Sequence, residues 1–122
     1  MFVPAPAGTG ISSVHRSALD RATVVRLRGE LDVHAAARLE PELLRLASDS
    51  GRFDLVCDLA GVTFCDSSGA GLFVRMSERC GTARRVMLRH IGRQPSRVIR
   101  LMGLHHRMHC DFGGPGMPPE WC

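Results

Sequence analysis

Val62-Thr63-Phe64-Cys65-Asp66-Ser67-Ser68-Gly69-Ala70-Gly71-Leu72 is the stretch on which the reading of this chain turns. A short apolar run ends in an acidic residue, two hydroxyls and two glycines, and an amphipathic pattern begins directly after them. That succession marks a strand handing over to a helix. A side chain at such a turn is exposed beside helix N-terminal N–H groups, which favour negative charge. Two readings of the hydroxyls follow. Asp66, Ser67 or Ser68 caps the helix, an interaction worth about 1 kcal/mol. Alternatively, a serine here carries a phosphate or sits in a partner's interface.

Outward from this turn the pattern is regular. Ile11 to Ser17 reads as a strand, Leu19-Asp20-Arg21 as a turn, and Ala22 to Leu31 as a second strand, together a hairpin. In that second strand Thr23, Val25 and Leu27 alternate with Val24, Arg26 and Arg28. Asp32 follows Gly29-Glu30-Leu31, and Leu39, Leu43, Leu46 and Ala47 then recur at helical spacing over about 35–47. Ser48-Asp49-Ser50-Gly51 ends that helix. Phe53 to Leu59 alternates as a strand, with Ala60-Gly61 separating it from the apolar run Val62 to Cys65. A second helix is expected over about 68–80, with Leu72, Phe73, Met76 and Cys80 inward and Gly81 as its stop. Arg85 to His90 reads as a strand, Ser96 to Met102 as a third helix opened by Pro95, and Leu104 to Cys110 as a last strand. The order β-β-α-β-α-β-α, with that short strand after it, implies an α/β domain: a mixed sheet with helices packed on it. The expected boundaries are a flexible N-terminal segment at 1–10, the domain at 11–110, and an irregular Pro/Gly-rich tail at 111–122.

Bulk properties narrow the function. The 122 residues suit one core, and 44% hydrophobic with 23% charged content is ordinary for a globular protein. No apolar run approaches the roughly 20 residues that span a bilayer, and Met1 to Ser13 lacks the basic opening of a signal peptide. A cytoplasmic location is expected. The formal net charge is +4, and all sixteen basic residues are arginine. No helix-turn-helix, zinc-finger or aromatic-platform signal accompanies them, so no direct nucleic-acid role is read; a mildly basic face toward an acidic protein fits equally. Of the five cysteines, Cys57, Cys65 and Cys80 fall in apolar patterns and read as small core residues, with no disulfide framework.

Here the chain resembles a known family. Gly29-Glu30-Leu31-Asp32, a helix, and then Asp58-Leu59-Ala60-Gly61-Val62 running on to Leu72 are similar to the STAS domain of bacterial anti-sigma factor antagonists. Arg97 to Leu104 resembles that family's third helix and its ending, and the resemblance extends over roughly Ile11 to Met108. It implies a curved mixed sheet with helices on one side. It also implies a mechanism in which the unphosphorylated protein binds a serine-kinase anti-sigma factor and so frees the sigma factor. The kinase then phosphorylates the serine after the aspartate and the complex dissociates; a PP2C-type phosphatase restores the binding form. By position the phosphoacceptor is Ser67, and the partner-binding residues are Asp32, Asp66, Ser67, Ser68, Gly69 and Gly71. The expected species is a monomer that forms hetero-complexes. Two features depart from the family. Ala35 stands where a Thr or Ser usually follows the first aspartate, and Pro115, Pro118 and Pro119 oppose the usual final helix.

Single residues carry further expectations. Asp32 either caps the first helix or contributes to an acidic surface near Ser67. Ser68 is read as the cap or start of the second helix, and Gly69 and Gly71 as points of close backbone approach, either to the sheet or to a partner, since each costs roughly 1 kcal/mol inside a helix. His105, His106, His109 and Cys110 have the chemistry of zinc or copper ligands. On a strand His105 and His109 would share a face. An exposed polar run is the reading adopted, with no metal or other cofactor. There is no Gly-x-Ser-x-Gly elbow, Walker loop, Gly-x-Gly-x-x-Gly or His-Glu-x-x-His, so the chain is read as a binding module and not an enzyme. The alternatives are a STAS scaffold or sensor that is never phosphorylated, and a metal-binding protein using the His/Cys cluster.

Overall fold

A computed structural model of the chain describes residues 8–17, 21–49 and 53–118. The expectations for residues 1–7, for Leu19-Asp20, for Ser50-Gly51 and for 119–122 lie outside the described residues. The elements are β1 (Gly10–Ser17), β2 (Ala22–Leu31), α1 (Val33–Ser48), β3 (Asp54–Cys65), α2 (Ser67–Cys80), β4 (Val86–Arg89), α3 (Arg93–Leu101) and β5 (His109–Cys110). They form one five-stranded mixed sheet in the order β1-β2-β3-β4-β5. β1 runs antiparallel to β2, while β2, β3, β4 and β5 run parallel.

The three helices cover one face, where Val25, Leu27, Leu55, Cys57, Leu59 and Leu88 meet Leu39 and Leu43 of α1, Leu72, Phe73 and Met76 of α2, and Ile99 of α3. The other face carries a small cluster of Ala22, Val24, Val56 and Met87. Beside it the carboxylate of Asp58 is buried between Arg89 (3.4 Å), His90 (3.2 Å) and Arg26 (3.9 Å). Burial alone would raise the Asp58 pKa; the Ala60 N–H, His90 and Arg89 together hold it below the usual carboxylate value. The buried thiols of Cys57 and Cys65 are both pushed up to about 12 by burial, so they behave as small core side chains.

α1 begins at Val33, two residues before the expected start, and four further differences from the sequence reading each have a local reason. β3 is one strand of 12 residues, not two pieces. Its pairing with β2 slips twice, from Asp58↔Arg26 to Gly61↔Arg28 and from Gly29↔Val62 to Glu30↔Phe64, so β3 spends one extra residue at each bulge. The bulges turn Leu59, Val62 and Cys65 inward at three-residue spacing, which breaks the alternation a continuous strand would show. Gly61 permits the first one, because a Cβ there would stand 3.0 Å from Arg28 Cβ and 3.1 Å from Leu27 O. α2 starts at Ser67, one residue early, with Asp66 as its cap. α3 starts at Arg93, capped by Gly92, and Pro95 lies within its first turn, where no N–H is needed. Leu101, expected on the apolar side of α3, is 87% exposed.

The fourth is the segment read as a strand over Leu104 to Cys110. It is a 3-10 turn at Leu104–His106 followed by the two-residue β5. Gly103 is left-handed (φ 72°), Leu104 is fully buried, and the Arg107 and Met108 N–H groups both donate to Leu104 O. Those bonds use the donors a strand would need. His105 and His106 are therefore on a turn with ring centroids 4.0 Å apart, not on a strand with His109. The tail to Pro118 is irregular but attached: Asp111 N donates to Leu88 O, Gly114 N donates to Ile91 O, and Arg100 lies over the Phe112 ring.

Candidate functional site

The sheet's parallel pairing builds the site. Leu31 pairs with Cys65, the last residues of β2 and β3, so the aspartates that follow are neighbours at the same sheet edge. Adjacent strands lie about 4.8 Å apart, and the Asp66 N–H donates to Leu31 O at 3.2 Å. The fold thus brings Asp32 and Asp66 together although 33 residues separate them. Each is an N-cap in extended conformation, Asp32 at φ −94°, ψ −172° and Asp66 at φ −105°, ψ −173°. Asp32 Oδ1 accepts from Ala35 N–H at 2.9 Å. Asp66 Oδ1 accepts from both Ser68 N–H (2.9 Å) and Gly69 N–H (3.0 Å). The two aspartates therefore cap α1 and α2 and put paired negative charge where the helix dipoles favour it.

This arrangement separates the two serines. Asp66 has taken the capping role, so Ser68 is not the cap; it is half-buried and lines a groove of about 390 Å³ between α1 and α2 with Val33, Ala36, Ala37, Glu40 and Arg75. Ser67, the first residue of α2, is exposed, and its hydroxyl makes no hydrogen bond among the described residues. Gly69 is the close approach the sequence suggested. A Cβ there would lie 2.4 Å from Leu31 O, 2.8 Å from Leu31 Cβ and 3.0 Å from Cys65 Sγ. Only glycine lets α2 begin directly over the end of β2. Gly71 is different: a Cβ would meet only Arg75 Nη1, at 3.4 Å, so internal packing does not require glycine there.

Three supports were not visible in the pattern. The Gln94 side chain clamps the strand end before Asp66, its Oε1 accepting from Cys65 N–H at 2.7 Å and its Nε2 donating to Cys65 O at 2.9 Å. Arg75 of α2 pairs with Glu40 of α1, tying together the two helices that flank the groove. Thr9 Oγ1 accepts from Glu30 N–H at 2.8 Å, and Arg38 donates to Thr9 O at 2.6 Å, fixing the chain before β1 against the end of β2. All three are contacts between distant segments, and the glutamine had no local signal beyond its place near a helix start. Among the described residues, no group of three or more His, Cys, Asp or Glu is placed to hold a metal ion.

Comparison with known proteins agrees with this geometry. The family model of the STAS domain matches residues 14–112. An anti-sigma-B factor antagonist of Staphylococcus aureus is 28% identical over 102 residues, 83% of this chain and 94% of that protein. An anti-sigma-B factor antagonist of Staphylococcus epidermidis is 30% identical over 90 residues, 73% of this chain and 82% of that protein. A crystal structure of an anti-sigma factor antagonist from Mycobacterium paratuberculosis superposes with a TM-score of 0.76 at 27% identity, covering 90% of this chain and 91% of that one. A match over most of the chain, joined to a mixed sheet whose two middle strands end in paired helix-capping aspartates, makes this chain a member of the STAS domain family.

Proposed function

We propose that the protein is an anti-sigma factor antagonist whose binding to a serine-kinase anti-sigma factor is switched off by phosphorylation at Ser67. One observation carries the assignment of the serine: Asp66 supplies the cap of α2, and the Ser67 hydroxyl at that helix N-terminus is exposed, with no hydrogen bond among the described residues. A cap is a structural necessity there; a free hydroxyl beside it is not.

The mechanism is electrostatic. A partner seated on the first turns of α1 and α2 covers Val33, which is 55% exposed, the groove lined by Ser68, and Ser67 itself. Unphosphorylated, that surface presents a neutral hydroxyl next to Asp66, at the paired strand ends that also carry Asp32. Phosphorylation adds about −1.5 to −2 charges, which the α2 N–H groups tolerate in the free protein. In the complex the same charge must lose its water beside two carboxylates. A cost of about 3 kcal/mol weakens binding by 10²-fold or more, with no rearrangement of the fold. The kinase supplies the phosphoryl-transfer chemistry, this chain is its substrate, and a PP2C-type phosphatase resets it. No helix among the described residues is long and apolar enough to cross a membrane, and dependence on an ATP-using partner suits action in the cytoplasm.

The test is incubation with a candidate kinase anti-sigma factor and ATP, followed by mass spectrometry of the peptide that spans Ser67 and Ser68. One phosphate on Ser67, absent from Ser67→Ala, is the expected result. Stable binding to an active kinase with no phosphate added would replace the switch with a STAS scaffold that works by binding alone.

A further inference from the structure

The opposite end of α2 bears a second feature, unrelated to the serine turn. A cavity of about 430 Å³ opens there, lined by Arg84, Arg85, Arg107, His105, His106 and His109, with no carboxylate among its lining residues. α2 has 14 residues, so at 1.5 Å per residue the cavity is about 20 Å from Ser67.

Its charge is poorly compensated from within the protein. Arg85 is held by Asp54, through Nη2 to Oδ2 at 3.0 Å and the backbone N–H to Oδ1 at 3.1 Å. Asp54 also feels the Arg84 charge. Neither Arg84 nor Arg107 has an ion pair among the described residues, so three guanidinium charges against one carboxylate leave two uncompensated. Arg84 is only 6% exposed. Its Nη1 donates to Phe53 O at 3.2 Å and its Nη2 donates to Leu46 O, but its buried Nε–H has no acceptor. His105 Nδ1 is likewise buried without a partner. A guanidinium buried this deeply and served only by carbonyls keeps an uncompensated charge, whose field acts on the cavity it lines. Partial desolvation, then the neighbouring His106 and Arg100, push the His105 pKa below its ordinary value, in keeping with an excess of positive charge around it.

From this geometry we infer that the cavity binds a small phosphate-bearing polyanion of the di- or triphosphate class. Guanidinium forks match phosphate oxygens two at a time, and the imidazoles add further donors. The volume is in the range of small-molecule sites. More than one negative charge is needed, because a single carboxylate would leave the guanidinium excess only half met.

The experiment is isothermal titration calorimetry of the full chain with inorganic tripolyphosphate at low salt, alongside an NMR amide titration. Arg84 also holds two carbonyls and its loss threatens the fold, so the variants are the exposed Arg107→Glu and His106→Ala. Saturable one-site binding is expected, weakened at least tenfold by Arg107→Glu and several-fold by His106→Ala, with shifted amides confined to Ser77, Gly81, residues 84–86 and residues 105–109. Arg97→Glu, the same charge change on α3 outside the cavity, should leave affinity within twofold. Absence of saturable binding at millimolar tripolyphosphate overturns the inference. Equal weakening by Arg97→Glu and Arg107→Glu also overturns it, since that would mean diffuse attraction to an arginine-rich surface.

Discussion

The turns at Asp32 and at Asp66 have nearly the same backbone and expose different chemistry. In each, a parallel strand ends, an aspartate in extended conformation follows, and its carboxylate caps the next helix. The residues after Asp32 are Val33, His34 and Ala35; after Asp66 they are Ser67, Ser68 and Gly69. At the third helical position Ala35 fits with its methyl buried, whereas Gly69 lies against the Leu31 carbonyl with no room for one. At the first position Val33 presents an apolar surface and Ser67 a free hydroxyl. The aspartates and Gly69 belong to folding. What distinguishes the second turn is an exposed hydroxyl that folding does not use.

Charging that group should have the largest effect. Ser67→Asp is expected to weaken binding to the kinase anti-sigma factor by 10²-fold or more, about 2.7 kcal/mol, while Ser67→Ala binds like the unmodified protein. Calorimetric titration of both variants decides it, and tight binding by Ser67→Asp would remove the charge mechanism. Next in size is Gly69→Ala. The added methyl meets a backbone carbonyl, and overpacking of that kind costs roughly 1–3 kcal/mol. Urea denaturation should show a lower midpoint at an unchanged slope.

The caps come third. Loss of a capping aspartate costs about 0.5–2 kcal/mol, and Asp66→Ala should exceed Asp32→Ala because Asp66 accepts two N–H bonds and Asp32 one. Equal losses would mean that the second bond adds nothing. Asp66→Asn sharpens the point: an asparagine oxygen still caps, so stability should stay within about 0.5 kcal/mol, and any change in phosphorylation rate then reports on charge alone. The smallest effect is Gly71→Ala, expected to raise stability by up to about 1 kcal/mol. Weaker partner binding in that stabilised variant would show that glycine is kept there for the interface.

Much of this was legible along the chain because it is local. The hairpin, the amphipathic stripes of α1 and α2, and the strand-Asp-helix handover at Asp66 all depend on residues within a few positions of one another. The sequence also pointed to Gly69 as a close approach and left the cap open among Asp66, Ser67 and Ser68. It read Gly71 like Gly69, since two glycines in one helix start look alike until the strand beneath one of them is known. It split β3 at Ala60-Gly61, because bulges that exist only through pairing with β2 hide the alternation. Leu104 to Cys110 misled in the same way: its apolar and β-compatible residues suggest a strand, but burial of Leu104 after a left-handed Gly103 bends the chain into a turn.

Local pattern along the chain was enough for most of the strands and helices, for an aspartate, two serines and a glycine at one handover, and through those residues for the family. Only the tertiary structure decided that Asp66 and not a serine is the cap, that Asp32 stands beside it, that Gln94 holds the strand end, and that six basic side chains from separate elements surround one cavity. The reason is physical. Capping and amphipathic patterns act over one or two turns of chain, whereas strand register, close backbone approach and the summed field of distant charges exist only once the sheet has aligned its strands.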